Sequence, residues 1–351
     1  MKAIDLFSGP GGLSLGMKWA GIIPELCVEV SQDAMTSYAS HHAHCIHINR
    51  DIRCVSFKDY RNKVDIVIGG PPCQPFSLGG LRKGKHDARD MIPEFIRCLH
   101  EVNPEAFVME NVPGLAMKKA RPYFDSILFR LSELGYKLNW TVLHSADYGV
   151  PQKRRRLFIL GSRSKFLLFP FPSHGELTDL AHPKSSDYLS NVPIGDPPNS
   201  PVKFAQNPDL RKSPYAGLIY NGGGRPIDPH GPCHTILASS GGYKTHWVDT
   251  ENVAPKYHAY LEGGGKPRTG IVPGARRLSV EECAIIQTFP NSVAFFGSRS
   301  SRYAQVGNAV PPRLAQRLGE ALMTQLDGQQ QAHKLLDADH DFMAEQRYGK
   351  S

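Results

Sequence analysis

The chain has 351 residues, 40% of them hydrophobic and 21% charged, so it can bury one large or two medium cores and has the make-up of a soluble globular protein. Its formal charge of +8 and pI of about 9.1 suit a polyanionic partner without requiring one. No apolar stretch approaches the ~18 residues of a membrane span, and seven cysteines, an odd number with no CxxC pair, fit a reducing cytoplasm better than a disulfide framework.

In chain order, residues 2–8 (KAIDLFS) read as a strand ending in a turn, without a signal peptide, and Leu13, Met17 and Ala20 have the spacing of a helix. A second strand is expected at 23–30, then a helix at 31–42 with Ser31 as its N-cap. Further strands are expected within HINRDI (47–52), at 64–70 and at 105–112, with helices over 92–101 and 122–134. A strand at 155–162 closes this block. Such alternation predicts an α/β fold, a doubly wound sheet with helices on both faces. From about Phe166 to residue 275 the chain is rich in Pro, Gly, Ser and Asn, with loop signals at 221–225, 239–244 and 262–267, and reads as a smaller loop-rich, partly β domain. Helical pattern returns at 278–289 and at 312–326, where Leu314, Leu318 and Leu322 line one face and Pro312 suits the first turn. The expected organisation is therefore 1–165, 166–275, 276–328 and a polar tail at 329–351.

Three stretches and three single carboxylates carry candidate chemistry. DLFSGPGGLSLG (5–16) is a glycine-rich turn between strand and helix, where backbone can approach a nucleotide-like ligand; it is not GxGxxG, and a ligand-free turn is an equal reading. Glu29 and Asp51, read as ending the second and third strands, could accept hydrogen bonds from a ribose and an adenine amino group, or could be plain exposed carboxylates. GGPPCQPFS (69–77) puts Cys73 on a proline-stiffened loop at the ligand edge of the sheet, a setting that favours a nucleophile over a small buried hydrophobe. Glu110 ends the next strand at the same edge and could steer a proton if its pKa were raised. In PQKRRRLFILG (151–161), β alternation would put Gln152, Arg154 and Arg156 on one face, two guanidinium groups aimed at an anion or a carbonyl oxygen.

The ordered set DLFSGPGG, Glu29, Asp51, GGPPCQPFS, ENV, QKRRR, RRLSVEECAIIQTFP and QVGNAVPP resembles the DNA (cytosine-5) methyltransferases over residues 1–162 and 276–326. The resemblance implies a mixed sheet of the S-adenosylmethionine-dependent methyltransferase type, with target recognition in the intervening domain. It implies that Phe7, Gly9, Pro10 and Gly12 form the methionine and ribose loop, that Glu29 and Val30 meet the ribose and Asp51 and Ile52 the adenine, that Pro72 and Met91 line the pocket, and that Asn308, Ala309 and Val310 close it. Ala309 departs from the Ser of many members, and Thr235–Ile236 resembles the Thr-Leu pair of the recognition domain.

The implied reaction is attack of Cys73 on C6 of a cytosine flipped out of duplex DNA, with Glu110 at N3 and Arg154 and Arg156 at O2 and the adjacent backbone. Gln74, Ser77, Gln152, Arg225, Thr235, Lys244 and Thr245 are candidate DNA contacts. No metal is expected: HHAHCIH (41–47) has irregular spacing and the implied reaction needs none. The rival readings are a tRNA cytosine-5 methyltransferase, whose Cys-Phe-Thr motif is absent, and a non-catalytic DNA-binding member of the fold, which the intact Cys, Glu and Arg set disfavours. A monomer in the nucleoid-associated cytoplasm, with a restriction endonuclease acting separately, completes the expectation.

Overall fold

A computed structural model of the chain describes residues 1–73, 90–189 and 200–326. The first block runs β1 (Lys2–Leu6), α1 (Gly12–Trp19), β2 (Ile23–Val28), α2 (Gln32–Ala39), β3 (Ile46–Ile48), β4 (Ile66–Gly69), α3 (Ile92–Val102), β5 (Ala106–Asn111), α4 (Arg121–Glu133), β6 (Lys137–His144), β7 (Gln152–Lys153) and β8 (Arg155–Ser162). The rest comprises α5 (Ser185–Leu189), β9 (Phe204–Asp209), β10 (Leu218–Tyr220), β11 (Cys233–His234), β12 (Trp247–Asp249), α6 (Val253–Glu262), β13 (Ala275–Arg277), α7 (Val280–Ile286), α8 (Arg299–Asn308) and α9 (Pro312–Leu326).

Seven strands form one sheet in the order β3-β2-β1-β4-β5-β8-β6. The first five are parallel, and β8 runs antiparallel to both of its neighbours, so the sheet is mixed. Strands β4 and β5 are buried along their whole length, which is why IVIG and AFVMEN lack polar alternation until Glu110. Their alternate side chains feed two cores. Val67, Phe107 and Met109 pack with Phe95, Leu99, Phe124 and Ile127 of α3 and α4. Ile66, Ile68 and Val108 pack with Leu13 and Met17 of α1 and with Leu314 and Leu318 of α9. The expected leucine face of α9 is thus the one that covers the sheet. A Cβ on Gly16 would stand 2.1 Å from the Pro312 carbonyl oxygen, so glycine there lets the two helices touch through backbone.

Several sequence expectations change. Strand β6 pairs with β8 at the sheet edge and was not expected; its half-buried Leu138, Trp140 and Val142 alternate with polar residues. Asp51 does not end a strand: β3 stops at Ile48, and Asp51 caps a 3₁₀ turn over Ile52–Cys54. A further helix not expected, α8, runs through Asn308, so that within QVGNAVPP only 309–311 link it to α9. The segment from 200 to 277 carries short antiparallel pairs, β9 with β10 and β12 with β13, and also the unforeseen helix α6, around Tyr220, Trp247 and Tyr257. Ser31 does cap α2, accepting from the Ala34 amide.

Candidate active site

The carboxyl ends of β1, β2, β4 and β5 open on one cleft of about 720 Å³, a size typical of small-molecule sites. Its lining includes Phe7, Gly9, Pro10, Gly12, Glu29, Val30, Asp51, Ile52, Pro72, Met91, Asn308, Ala309 and Val310, together with Cys73, Glu110 and Arg156. Arg154 is not among them.

The glycine-rich turn is held in a tense shape. Phe7 has φ of 56°, the left-handed region that a bulky residue rarely occupies, and Gly9 and Gly11 follow at 54° and 87°. Both oxygens of Glu29 steady this turn and the start of α2, accepting from the Gly9 amide at 2.9 Å and the Ser31 amide at 2.8 Å. A carboxylate has about four acceptor positions, so the pair facing the cleft remains available to two vicinal hydroxyls. A Cβ on Gly12 would lie 2.3 Å from the Val310 carbonyl oxygen, and this contact seals the cleft against the returning segment at 308–310. Arg53 holds Asp51 by a fork of hydrogen bonds, which brings its carboxyl down to about 2 and keeps an acceptor at the rim. Cleft size, the free faces of Glu29 and the backbone-sealed wall fit an adenosyl group carrying a short amino-acid chain.

Asp5 lies deeper, at the floor, and the sequence reading passed over it. It is 1% exposed, accepts a hydrogen bond from Ser14, and leaves Oδ1 without a partner among the described residues. Burial pushes its carboxyl up to about 8 against the opposing Ser14 bond, with Glu29 adding to the rise. The folded state therefore holds a proton that the unfolded chain gives up near 3.8, and this contribution to stability is complete below that value and is lost as pH rises through about 8. Calorimetry of the free protein should show Tm falling by ~5 °C between pH 5 and pH 9, and Asp5→Asn should flatten that slope. An unchanged slope in the variant would mean that Asp5 is ionised throughout.

The nucleophile loop is pinned from two sides. The Asn111 side-chain amide donates to the Pro71 carbonyl at 2.9 Å, and the Met91 amide donates to the Pro72 carbonyl at 3.0 Å. Cys73 bridges to Asp90, whose carboxylate accepts from the Tyr123 hydroxyl. Burial, and then Asp90, push the Cys73 thiol up to about 12, so the free protein holds it as a thiol. Glu110 faces the same cleft, with Oε1 3.0 Å from Nε of Arg156. Burial raises its carboxyl, and Arg156 and then Arg154 pull the other way. A Cβ on Gly70 would come within 3.0 Å of Glu110 Oε2, so the double glycine before the prolines also makes room for this acid.

The expectation that Arg154 joins Arg156 is corrected. Gln152, Arg154 and Arg156 do face inward while Lys153 and Arg155 are exposed, as alternation predicts, but Arg154 does not reach the cleft. Arg154 is fully buried and donates to the carbonyls of Ile236, Gly307 and Asn308, at 3.2, 3.0 and 3.3 Å. Gln152 is likewise buried, bonding Gln287 at 2.9 Å and accepting from the Ile236 amide at 2.9 Å, which leaves no edge for DNA. Thr245 is buried and accepts from the amides of Gly241 and Gly242. Thr235 binds the Lys153 carbonyl, Arg225 the Ala216 carbonyl, and Lys244 is exposed. Gln74 and Ser77 lie outside the described residues. The sequence reading gave no role to Asn111 or Gln287, although the first stood in ENV and the second in RRLSVEECAIIQTFP.

Three comparisons bear on this site. A family model described as C-5 cytosine-specific DNA methylase matches residues 1–324. The chain is 32% identical to the Type II methyltransferase M.AplI of Arthrospira platensis, over 93% of this chain and 87% of that protein. It is 31% identical to the Type II methyltransferase M.Eco47II of Escherichia coli, over 92% and 79% respectively. Among solved structures, that of the S. pombe Dnmt2 methyltransferase superposes with a TM-score of 0.68 at 17% identity, covering 93% of this chain and 99% of that one, a likeness of fold.

Proposed function

The chain belongs to the C-5 cytosine-specific DNA methylases, and from that premise we propose how its residues divide the transfer of a methyl group from S-adenosylmethionine to C5 of cytosine in a specific DNA sequence. The observation that carries the assignment is one cleft lined by the glycine-rich turn, Glu29, Cys73, Glu110 and Arg156. The cofactor supplies an electrophilic methyl group. Glu29 holds its ribose, Asp51 and Ile52 its adenine, and Phe7, Gly9 and Pro10 its amino-acid end, with Asn308, Ala309 and Val310 as the returning wall.

C5 of cytosine is a weak nucleophile. Cys73 gives up its proton and bonds C6, which moves an electron pair to C5. Glu110 donates to N3 so that charge does not build on the ring, and Arg156 both orients Glu110 and faces O2. Once C5 carries the methyl group, loss of its proton returns the electron pair, breaks the C6–S bond and frees Cys73. The base must leave its stack to reach this cleft, and a cationic surface holding phosphates makes binding fall with salt.

The segment at 166–275 is the target-recognition part, with the exposed Lys244 as a phosphate contact and 276–328 completing the catalytic part. The protein works as a monomer in the nucleoid-associated cytoplasm, paired with a separately acting endonuclease. Among the described residues no helix is long and apolar enough to cross a membrane. Bisulfite sequencing of DNA from a host expressing the protein should reveal one short sequence protected at a single cytosine. Protection confined to tRNA, or absent, would refute the DNA assignment.

A further inference from the structure

The pairing of β2 with β3 brings together residues that are far apart in the chain. Cys27 stands opposite His47 in the parallel register, so their side chains share one sheet face, and Cys45 sits in the bend just before β3. Helix α2 lies over that face with Met35 and Tyr38. The two sulfurs and an imidazole nitrogen lie within 4.8 Å of one another. In a tetrahedral zinc site such atoms stand about 3.8 Å (S···S) and about 3.6 Å (S···N) apart, so small side-chain rotations would close the set on an ion.

The imidazole is already oriented. His47 Nε2 lies 3.0 Å from the His42 carbonyl, which can only accept, so Nε2 is the donor and Nδ1 is the nitrogen left for a ligand. Packing alone accounts for two buried thiols, which make weak contacts with Met35 at 3.8 Å and with Tyr38 at 3.9 Å. The half-buried imidazole of His47, set edge-on to Tyr38 at 5.8 Å, brings a nitrogen to both sulfurs and adds a third donor that the packing of the thiols does not need. The sequence reading weighed only the irregular HHAHCIH run and could not supply Cys27, which arrives through strand pairing.

We propose that Cys27, Cys45 and His47 form a zinc-binding site between β2, β3 and α2, with two thiolates, one neutral imidazole and an open fourth position toward His47. The site is separate from the methyl-transfer cleft, although Glu29 follows Cys27 by two residues. The contact with Cys45, and burial, push the Cys27 thiol upward in the free protein, so ion uptake must displace thiol protons.

The test is titration of the full-length reduced protein, stripped of metal, with Co²⁺ as a spectroscopic stand-in and then with Zn²⁺. One equivalent of Co²⁺ should give a thiolate charge-transfer band that one equivalent of Zn²⁺ removes, with about two protons released per ion. His47→Gln, chosen because the side chain is half-exposed, should weaken binding ~10-fold or more, and Cys54→Ser, at an exposed cysteine, should leave it unchanged. Absence of the band in folded wild-type protein, or a band that Cys54→Ser abolishes, overturns the proposal. So does a Cys27–Cys45 disulfide found by mass spectrometry in protein purified without oxygen.

Discussion

Replacing Cys73 with alanine is expected to lower methyl transfer to plasmid DNA by at least ~10³-fold, because it removes the one thiol among the described residues that line the cleft. Folding should survive the change. The anchors just before Cys73, at Pro71 and Pro72, are backbone carbonyls that alanine leaves in place. Label from tritiated cofactor measures the rate, and cofactor affinity serves as the control, since the adenosyl-binding residues are untouched. The wild type should also form a denaturation-resistant adduct with DNA containing 5-fluorocytosine, whose fluorine cannot depart as a proton does, and the alanine variant should form none. Equal activity of the two proteins would end the thiol mechanism.

Changing Glu110 to glutamine should cost ~10²- to 10⁴-fold in kcat, the usual weight of a positioned acid. Its pH profile is the more telling readout. Burial raises the Glu110 carboxyl, and Arg156 opposes that rise. The acid form is the one that donates to N3, so the wild-type rate should be flat at low pH and fall as pH climbs through the Glu110 value. A glutamine amide keeps one protonation state, and the variant should lose that limb while retaining cofactor affinity. Arg156→Ala should shift the limb to higher pH, because the cation that favours the carboxylate is gone. If the limb persists unchanged in Glu110→Gln, another group titrates and Glu110 is not the acid.

Local chemistry that depends on a strand end was legible in the sequence. Glu110 and the glycine turn stand where an apolar run meets polar residues, and such a break can be read without coordinates. Arg154 was misread for a physical reason. Alternation gives its face correctly but not its partners, and the carbonyls of Ile236, Gly307 and Asn308 that occupy its guanidinium come from distant parts of the chain. Strand β6 and helix α6 escaped because half-buried edge elements carry mixed polarity. Gln287 stood in a quoted motif, but it and Cys27 had no readable role, since each takes its meaning from a partner more than fifteen residues away that only the fold supplies.

The clamp made by Arg154 grips main-chain oxygens only, two from the end of α8 and one from Ile236 in the middle segment. Every amino acid offers the same carbonyl. This clamp therefore places no demand on the side chain at 236, while the buried Ile227, Cys233 and Ile236 hold the seat by packing against Leu278, Val306 and Ala309. The exposed surface of the middle segment takes no part in either, so, on the proposed role of that segment in target recognition, a new target sequence can be acquired without re-evolving the chemistry.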